Sequence, residues 1–348
     1  MRLTSLLATF GLATAACLTT AAGPATAQPA RPAQPGQACS PSLSISSFSD
    51  ALDKTTYDGT FVGNLSALAV DRHGDIAALS DRSALFTLNR DTLSPTTVTP
   101  LADETGTALD SEGLAIDRDG TRLISSETEP AVRRYDRDGR ILDRLPVPAA
   151  LQVTPAGRAT ANQTFEGLTF LPGRHTLLAG MEGSLTGDTT GIVRFQTWDR
   201  TRTDAFRLAA QYGYRTDTGL NVSETTATPD GRLLVLERGF TPGVGNTIRL
   251  YVADLSRATN TTAVETLTGG QADVRLAKKT LLADLVNCPT LGATAKQPQP
   301  NPLLDNIEGM TVTGHRHGRL NLLLVSDDNQ NAVQTTRLYS LTTRLPKP

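Results

Sequence analysis

Residues 112–127 read Glu112-Gly-Leu-Ala-Ile-Asp-Arg-Asp-Gly-Thr-Arg-Leu-Ile-Ser-Ser-Glu127. A short apolar run, an Asp-Gly turn and a second apolar run that ends on an acid describe an antiparallel hairpin. The phrase recurs. Its openings are Ser66-Ala-Leu-Ala-Val, Glu112-Gly-Leu-Ala-Ile, Glu166-Gly-Leu-Thr-Phe, Glu224-Thr-Thr-Ala-Thr and Glu308-Gly-Met-Thr-Val, and its closing strands end on Asp81, Glu127, Glu182, Glu237 and Asp327. A further strand follows most hairpins, as in VRRYDR, IVRFQTW, TIRLYVADL and TRLYSLT, so the unit holds three to four strands.

Antiparallel repeats of roughly 40–50 residues form the blades of a propeller, each sheet burying its faces against its neighbours around a central channel. The openings follow 66→112→166→224→308, and the last interval is close to twice the length of a short unit. A degraded sixth unit is therefore expected within residues 252–290. The fold class predicted is all-β, a six-bladed β-propeller closed by an N-terminal strand. That strand, from Leu43 to Val62, completes the last blade, whose other strands end near Leu341.

Outside the repeats, Met1-Arg2, an apolar run from Leu6 to Ala22 and Ala25-Thr26-Ala27 have the pattern of an export signal, with cleavage expected after Ala27. Cys17 is preceded by Thr14 where a lipid-attachment signal wants a large aliphatic, so a lipid anchor is the lesser reading. The run is shorter than the ~20 residues of a membrane-spanning helix, and no later segment approaches that length. Residues 1–27 are thus read as a signal peptide, 28–38 as a disordered proline-rich leader, and 39–348 as the propeller of a secreted, monomeric protein. Once Cys17 leaves with the signal, Cys39 and Cys288 form an even pair, and in an oxidising compartment a disulfide between them is predicted. With 33 basic and 35 acidic residues the chain has no basic field for nucleic acid or anionic lipid.

The acids carry the chemistry. The first residue of one hairpin strand and the last of the next share the open end, so Glu112 faces Glu127, Glu166 faces Glu182, Glu224 faces Glu237 and Glu308 faces Asp327. If the innermost strands all run the same way, these carboxylates collect at one mouth of the channel. Crowded like charges call for a hard cation, and Ca²⁺ held by Glu112, Glu166, Glu224 and Glu308 is the expectation. Asn221, Asn306, Asp328 and Asn329 are nearby oxygen donors. The plainer alternative is that the acids accept backbone N–H bonds or pair with Arg82, Arg133 and Arg238. His73, His175, His315 and His317 fall at the hairpin turns, hence at the opposite end, and no Gly-x-Ser-x-Gly elbow occurs, which argues against serine-hydrolase chemistry. Ser111, Ser125, Ser126, Ser223 and Ser326 read as strand and cap hydroxyls. No dinucleotide fingerprint or phosphate-cradling glycine loop is present.

The stretches LDSEGLAIDRDG (109–120), RILDRLPVP (140–148), NQTFEGLTF (162–170), YRTDTGLNVSE (214–224), RLLVLERGF (232–240), KKTLLADL (278–285), DNIEGMTV (305–312) and LLLVSDDN (322–329) resemble the secreted "esterase-like activity of phytase" family. The match runs from about residue 60 to 341, and only the Ser66 unit departs, with Ser where the others carry Glu. The resemblance implies a propeller and a hydrolase acting on phosphate or carboxylate esters. Chemistry then suggests roles: Glu127, Glu182, Glu237 and Asp327 as general base or remaining ion ligands, and Arg82 and Arg238 as contacts to a small phosphoester or ester substrate. None of the five lysines falls at the mouth, which disfavours a substrate bearing many phosphates. Two other readings stay open: a non-catalytic propeller that binds a ligand or protein around a structural calcium ion, and a lactonase-like metal hydrolase.

Overall fold

The computed structural model describes residues 37–347. The signal peptide, its cleavage after Ala27 and nearly all of the leader lie outside the described residues. The chain opens with β1 (Leu43–Ser49) and a small hairpin of β2 (Thr55–Tyr57) and β3 (Thr60–Val62). Blade one is β4 (Leu65–Val70), β5 (Ile76–Ser80), β6 (Ala84–Leu88) and β7 (Pro95–Pro100). Blade two is β8 (Ser111–Ile116), β9 (Arg122–Ser126), β10 (Ala131–Tyr135) and β11 (Ile141–Arg144). Blade three is β12 (Phe165–Phe170), β13 (Thr176–Met181), β14 (Ile192–Arg200) and β15 (Phe206–Arg215). Blade four is β16 (Asn221–Ala227), β17 (Leu233–Thr241), β18 (Gly245–Asp254) and β19 (Lys278–Asp284). The last is β20 (Ile307–Arg316), β21 (Arg319–Ser326) and β22 (Leu338–Thr343), with β1 added antiparallel to β22 as its outer strand. The inner strands β4, β8, β12, β16 and β20 pack in sequence around the axis, with β20 returning to β4.

The propeller therefore has five blades, not six. The long fourth interval contains insertions, not a blade. Residues 255–277 form no strand; Leu267 and Val274 pack on Ile192, and the Thr261 amide donates to the Gln211 carbonyl, so the segment clothes blade three. Its apolar residues satisfy a neighbour's flank instead of a sheet of their own. The closing strand is also shorter than the expected Leu43–Val62 span: only β1 joins the last blade.

Each inner strand carries a β-bulge near its start, between Leu65 and Ala67, Ser111 and Leu114, Phe165 and Leu168, Val222 and Glu224, and Ile307 and Gly309. The extra residue re-aims a side chain at the strand end. It also explains the Glu-Gly pairs. A Cβ on Gly113 would stand 2.2 Å from the Glu166 carbonyl oxygen, and one on Gly167 would stand 2.1 Å from the Thr225 nitrogen. Only glycine lets these strands approach so closely at the axis.

Cys39, just before β1, is bonded to Cys288, just after β19, across 249 residues of chain. The bond ties the outer strand of the last blade to blade four. Replacing both cysteines by serine should lower the melting temperature by about 3–6 °C, the equivalent of roughly 2–4 kcal/mol for a long closed loop. An unchanged melting temperature in differential scanning calorimetry would show that the ring closes without it.

Candidate active site at the acidic mouth

The bulges give every blade the same three positions at one end of the channel. Two residues before the bulge, and so on the same strand face, stand Asn64, Asp110, Thr164, Asn221 and Asn306. At the bulge stand Ser66, Glu112, Glu166, Ser223 and Glu308. Opposite that first position on the second strand stand Asp81, Glu127, Glu182, Arg238 and Asp327; in blades one, two, three and five the acid lies one residue past the strand's end and its amide donates to the carbonyl of the first-position residue, from Asp81 to Asn64, Glu127 to Asp110, Glu182 to Thr164 and Asp327 to Asn306. In blade four Arg238 pairs with Asn221.

Blade four is thus offset by one from the sequence expectation. Glu224 and Glu237, expected at the mouth, are not in its walls, and their neighbours Ser223 and Arg238 hold the equivalent places. The turns show the slip: the residues whose amides close them, Gly74, Gly120, Arg174 and Gly231, stand eight residues past Ser66, Glu112, Glu166 and Ser223 but only seven past Glu224. Glu224 instead lies deep in the channel beside the opposite opening, accepting bonds from the Thr225 amide at 2.7 Å and the Met310 amide at 3.5 Å. Burial raises its pKa well above the ordinary range, with the backbone donors opposing. Glu237 is consumed by packing: its oxygens accept from the Tyr214 hydroxyl at 2.6 Å, the Asp217 amide at 2.7 Å and Lys279 Nζ at 2.5 Å.

The remaining expected residues converge. Glu112, Glu127, Glu166, Glu182, Glu308 and Asp327 line one cavity of about 560 Å³ with Arg82 and Arg238. Asp81 and Asp110 bring the carboxylates to eight. Asp110 was legible only as the residue two before Glu112 on an alternating strand. No histidine, lysine or serine is in these walls. The five serines named from the sequence sit in the β-ladders: Ser125 Oγ, for example, accepts from the Gly113 amide at 2.7 Å and donates to the Glu166 carbonyl. Asp328 is held by Lys54 and the Asn64 amide, whereas Asn329 reaches the cavity.

Electrostatics at the mouth are those of acids short of cations. Burial, then repulsion from Glu308 and Glu127, holds the Glu112 carboxyl well above its ordinary range. Glu166 is raised likewise by burial and by Glu112. Asp327 is raised by burial and by Glu308. Glu127 is pushed up to about 8 by burial and by its neighbours Glu182 and Asp110, and Asp81 to about 6 by burial, against the pull of Arg82. Arg238 lies 3.0 Å from Glu308 and 3.9 Å from Glu182, and Asn306 Nδ2 donates to Glu308 at 2.9 Å. Arg82 touches only Asp81, at 3.4 Å, with 63% of its side chain exposed. Arg133 lies away from the mouth, bound to Glu104 and Glu129.

Two acid oxygens at the mouth have no hydrogen-bond partner: Asp81 Oδ1, which faces only Arg82 at 3.4 Å, and one on Glu127. Glu127 is 3% exposed and its Oε1 has no hydrogen-bond partner. Carboxylate oxygens of Glu127, Glu166 and Glu182 come within 4.8 Å of one another, as do those of Asp110, Glu112 and Glu127. An all-oxygen donor set with an unsatisfied buried member fits a hard divalent cation.

Comparison with other proteins names the family. Two solved structures align over most of the chain: the X-ray structure of a candidate gluconolactonase, at 14% identity and TM-score 0.40, covering 81% of this chain and 75% of that one, and the crystal structure of a protein of unknown function from Bacteroides caccae, at 12% identity and TM-score 0.34, covering 74% and 68%. No curated protein matches the sequence. The family model described as "Phytase-like: Esterase-like activity of phytase" matches residues 60–330, which hold both triads of clustered acids together with Arg82 and Arg238. With more than half its length in that match, the chain belongs to the phytase-like, esterase-like activity of phytase family.

Proposed function

We propose that the protein is an exported, calcium-assisted hydrolase of phosphate or carboxylate esters that works at the acidic mouth. The observation that carries this reading is the orphaned Glu127 oxygen between two carboxylate triads in a cavity open to a small substrate. Glu127, Glu166 and Glu182 would hold the ion, with Asp110 and Glu112 as further ligands through the shared Glu127. Bound calcium would neutralise substrate charge and make a neighbouring water more acidic.

The chain's own groups supply the rest. Asp327, in the cavity wall and with its carboxyl held well above the ordinary range by burial and by Glu308, is the group assigned to take a proton from water. Its Oδ1 is kept aligned by the Asn329 amide at 2.8 Å. Arg238 faces the cavity beside Glu308, and Arg82, paired with Asp81 and largely exposed, stands at the rim; both can contact the ester oxygens on which charge develops. The export signal read at residues 1–27 and the Cys39–Cys288 bond support an extracellular setting, where calcium is plentiful.

The test is an assay of p-nitrophenyl phosphate, p-nitrophenyl acetate, a simple lactone and phytate, each with calcium and with EDTA. At least one small monoester should be hydrolysed about 10²-fold faster with calcium, the size expected of a metal that stabilises developing charge. Phytate should be poor, because its charge meets eight carboxylates and two arginines. Calcium binding without turnover of any of the four would make the propeller a binding module.

A further inference from the structure

The wall that blade four adds to the mouth differs from the acid wall. Arg238 and Phe240 lie two apart on β17 and so share a face, and Phe240 pairs across the hairpin with Asn246 of β18. All three line the cavity, joined by Gln297 from the loop that follows β19. Phe240 is 52% exposed. Asn246 is 1% exposed, yet neither Nδ2 nor Oδ1 has a partner, and the buried Nε2 of Gln297 has none either. Buried amides without partners are costly and rare. Here they stand beside an exposed aromatic ring, in the wall of a cavity.

We infer that Phe240, Asn246 and Gln297 form a subsite for a neutral, polyhydroxylated ring, a sugar or cyclic polyol, carried by the ester; this rests on the hydrolase reading above. The C–H face of such a ring packs on an aromatic side chain, and its hydroxyls both donate to and accept from an amide. A polyanion is disfavoured by the surrounding carboxylates. A plain hydrocarbon group would leave both polar atoms of Asn246 unpaired, a loss that sites built for hydroxyls exploit to reject such analogues. Arg238, two residues from Phe240 and 3.0 Å from Glu308, sets the ring beside the acids.

Ligand-observed NMR on the intact, calcium-loaded protein tests this with methyl α-glucopyranoside, myo-inositol and, as the hydroxyl-poor control, cyclohexylmethanol. Both polyols should bind with millimolar affinity and the control should not, and Phe240→Ala and Asn246→Ala should each weaken binding about tenfold. Phe240 is exposed enough that its replacement leaves the fold intact, which circular dichroism checks. No polyol binding by the parent protein at about 50 mM, or equal binding by parent and variants, overturns the subsite. No ester is turned over in this experiment, so its failure alongside calcium-dependent hydrolysis of p-nitrophenyl esters removes the subsite alone. Polyol binding without hydrolysis of any ester removes the hydrolase reading and leaves the subsite standing.

Discussion

A Glu127→Gln, Glu182→Gln double variant loses about 10³-fold or more in calcium-dependent ester hydrolysis, yet melts at a higher temperature than the parent in calcium-free buffer at pH 8. The two outcomes have opposite signs because the same carboxylates do opposite things. In the proposed site they become ligands once the cation binds. Without it they are buried like charges whose mutual repulsion and desolvation oppose folding, and isosteric amides remove that penalty. Glu237→Gln is the contrast. Its carboxylate is bound to Tyr214, Lys279 and the Asp217 amide, so the variant should lose stability, by up to about 3–5 kcal/mol for a broken buried ion pair, and keep its calcium response. Thermal melts and initial rates of the two variants settle the matter. A double variant that stays active, or that melts lower without calcium, would remove Glu127 and Glu182 from the site.

The second large effect is a stability that falls as pH rises when calcium is withheld. Glu127 titrates near 8 in the folded chain and near its ordinary 4.5 when unfolded, and Asp81 is raised to about 6. Between these values the folded state holds protons that the unfolded state has released, so the stability each group contributes is complete below its unfolded pKa and is lost as pH climbs through its folded one. In EDTA the melting temperature should drop by about 5–10 °C between pH 5 and pH 8, a few kcal/mol for a chain of this size. Calcium competes with those protons and should abolish most of the drop, with its greatest stabilisation at pH 8. A flat profile in EDTA, or a calcium effect larger at pH 5 than at pH 8, would contradict the ionisation assigned to the mouth.

The acidic end of the channel was legible in the sequence because it is written locally. Glu-Gly at the start of a strand, a turn glycine about eight residues on and an acid closing the next strand recur in blades two and three and, with a longer turn, in the last. Blade four kept the pattern's letters while shifting by one residue, and in a strand a one-residue shift sends a side chain to the other face. Glu224 and Glu237 therefore left the mouth and Arg238 entered it. The blade count failed for a different reason. Residues 255–277 are spaced like a unit, but their burial is decided by contact with Ile192 and Gln211, far away in sequence. The subsite wall was hidden for the same kind of reason: Asn246 becomes a buried, unpaired amide only when the loop carrying Gln297 and Gln299 folds over the β17–β18 hairpin, where Gln299 takes the Asn246 backbone amide at 2.8 Å. Cys39 and Cys288 could be paired by arithmetic, since the bond needs no knowledge of the blades between them.

The claim on which the hydrolase reading depends is that the ring of blades gathers carboxylates around a hard cation. A crystal structure determined in saturating calcium, with anomalous data, tests it most directly. The account predicts an ion ligated by Glu127, Glu166 and Glu182, with the Glu127 oxygen no longer orphaned. A mouth without bound metal under those conditions, its acids paired only with Arg238 and Arg82, would contradict it.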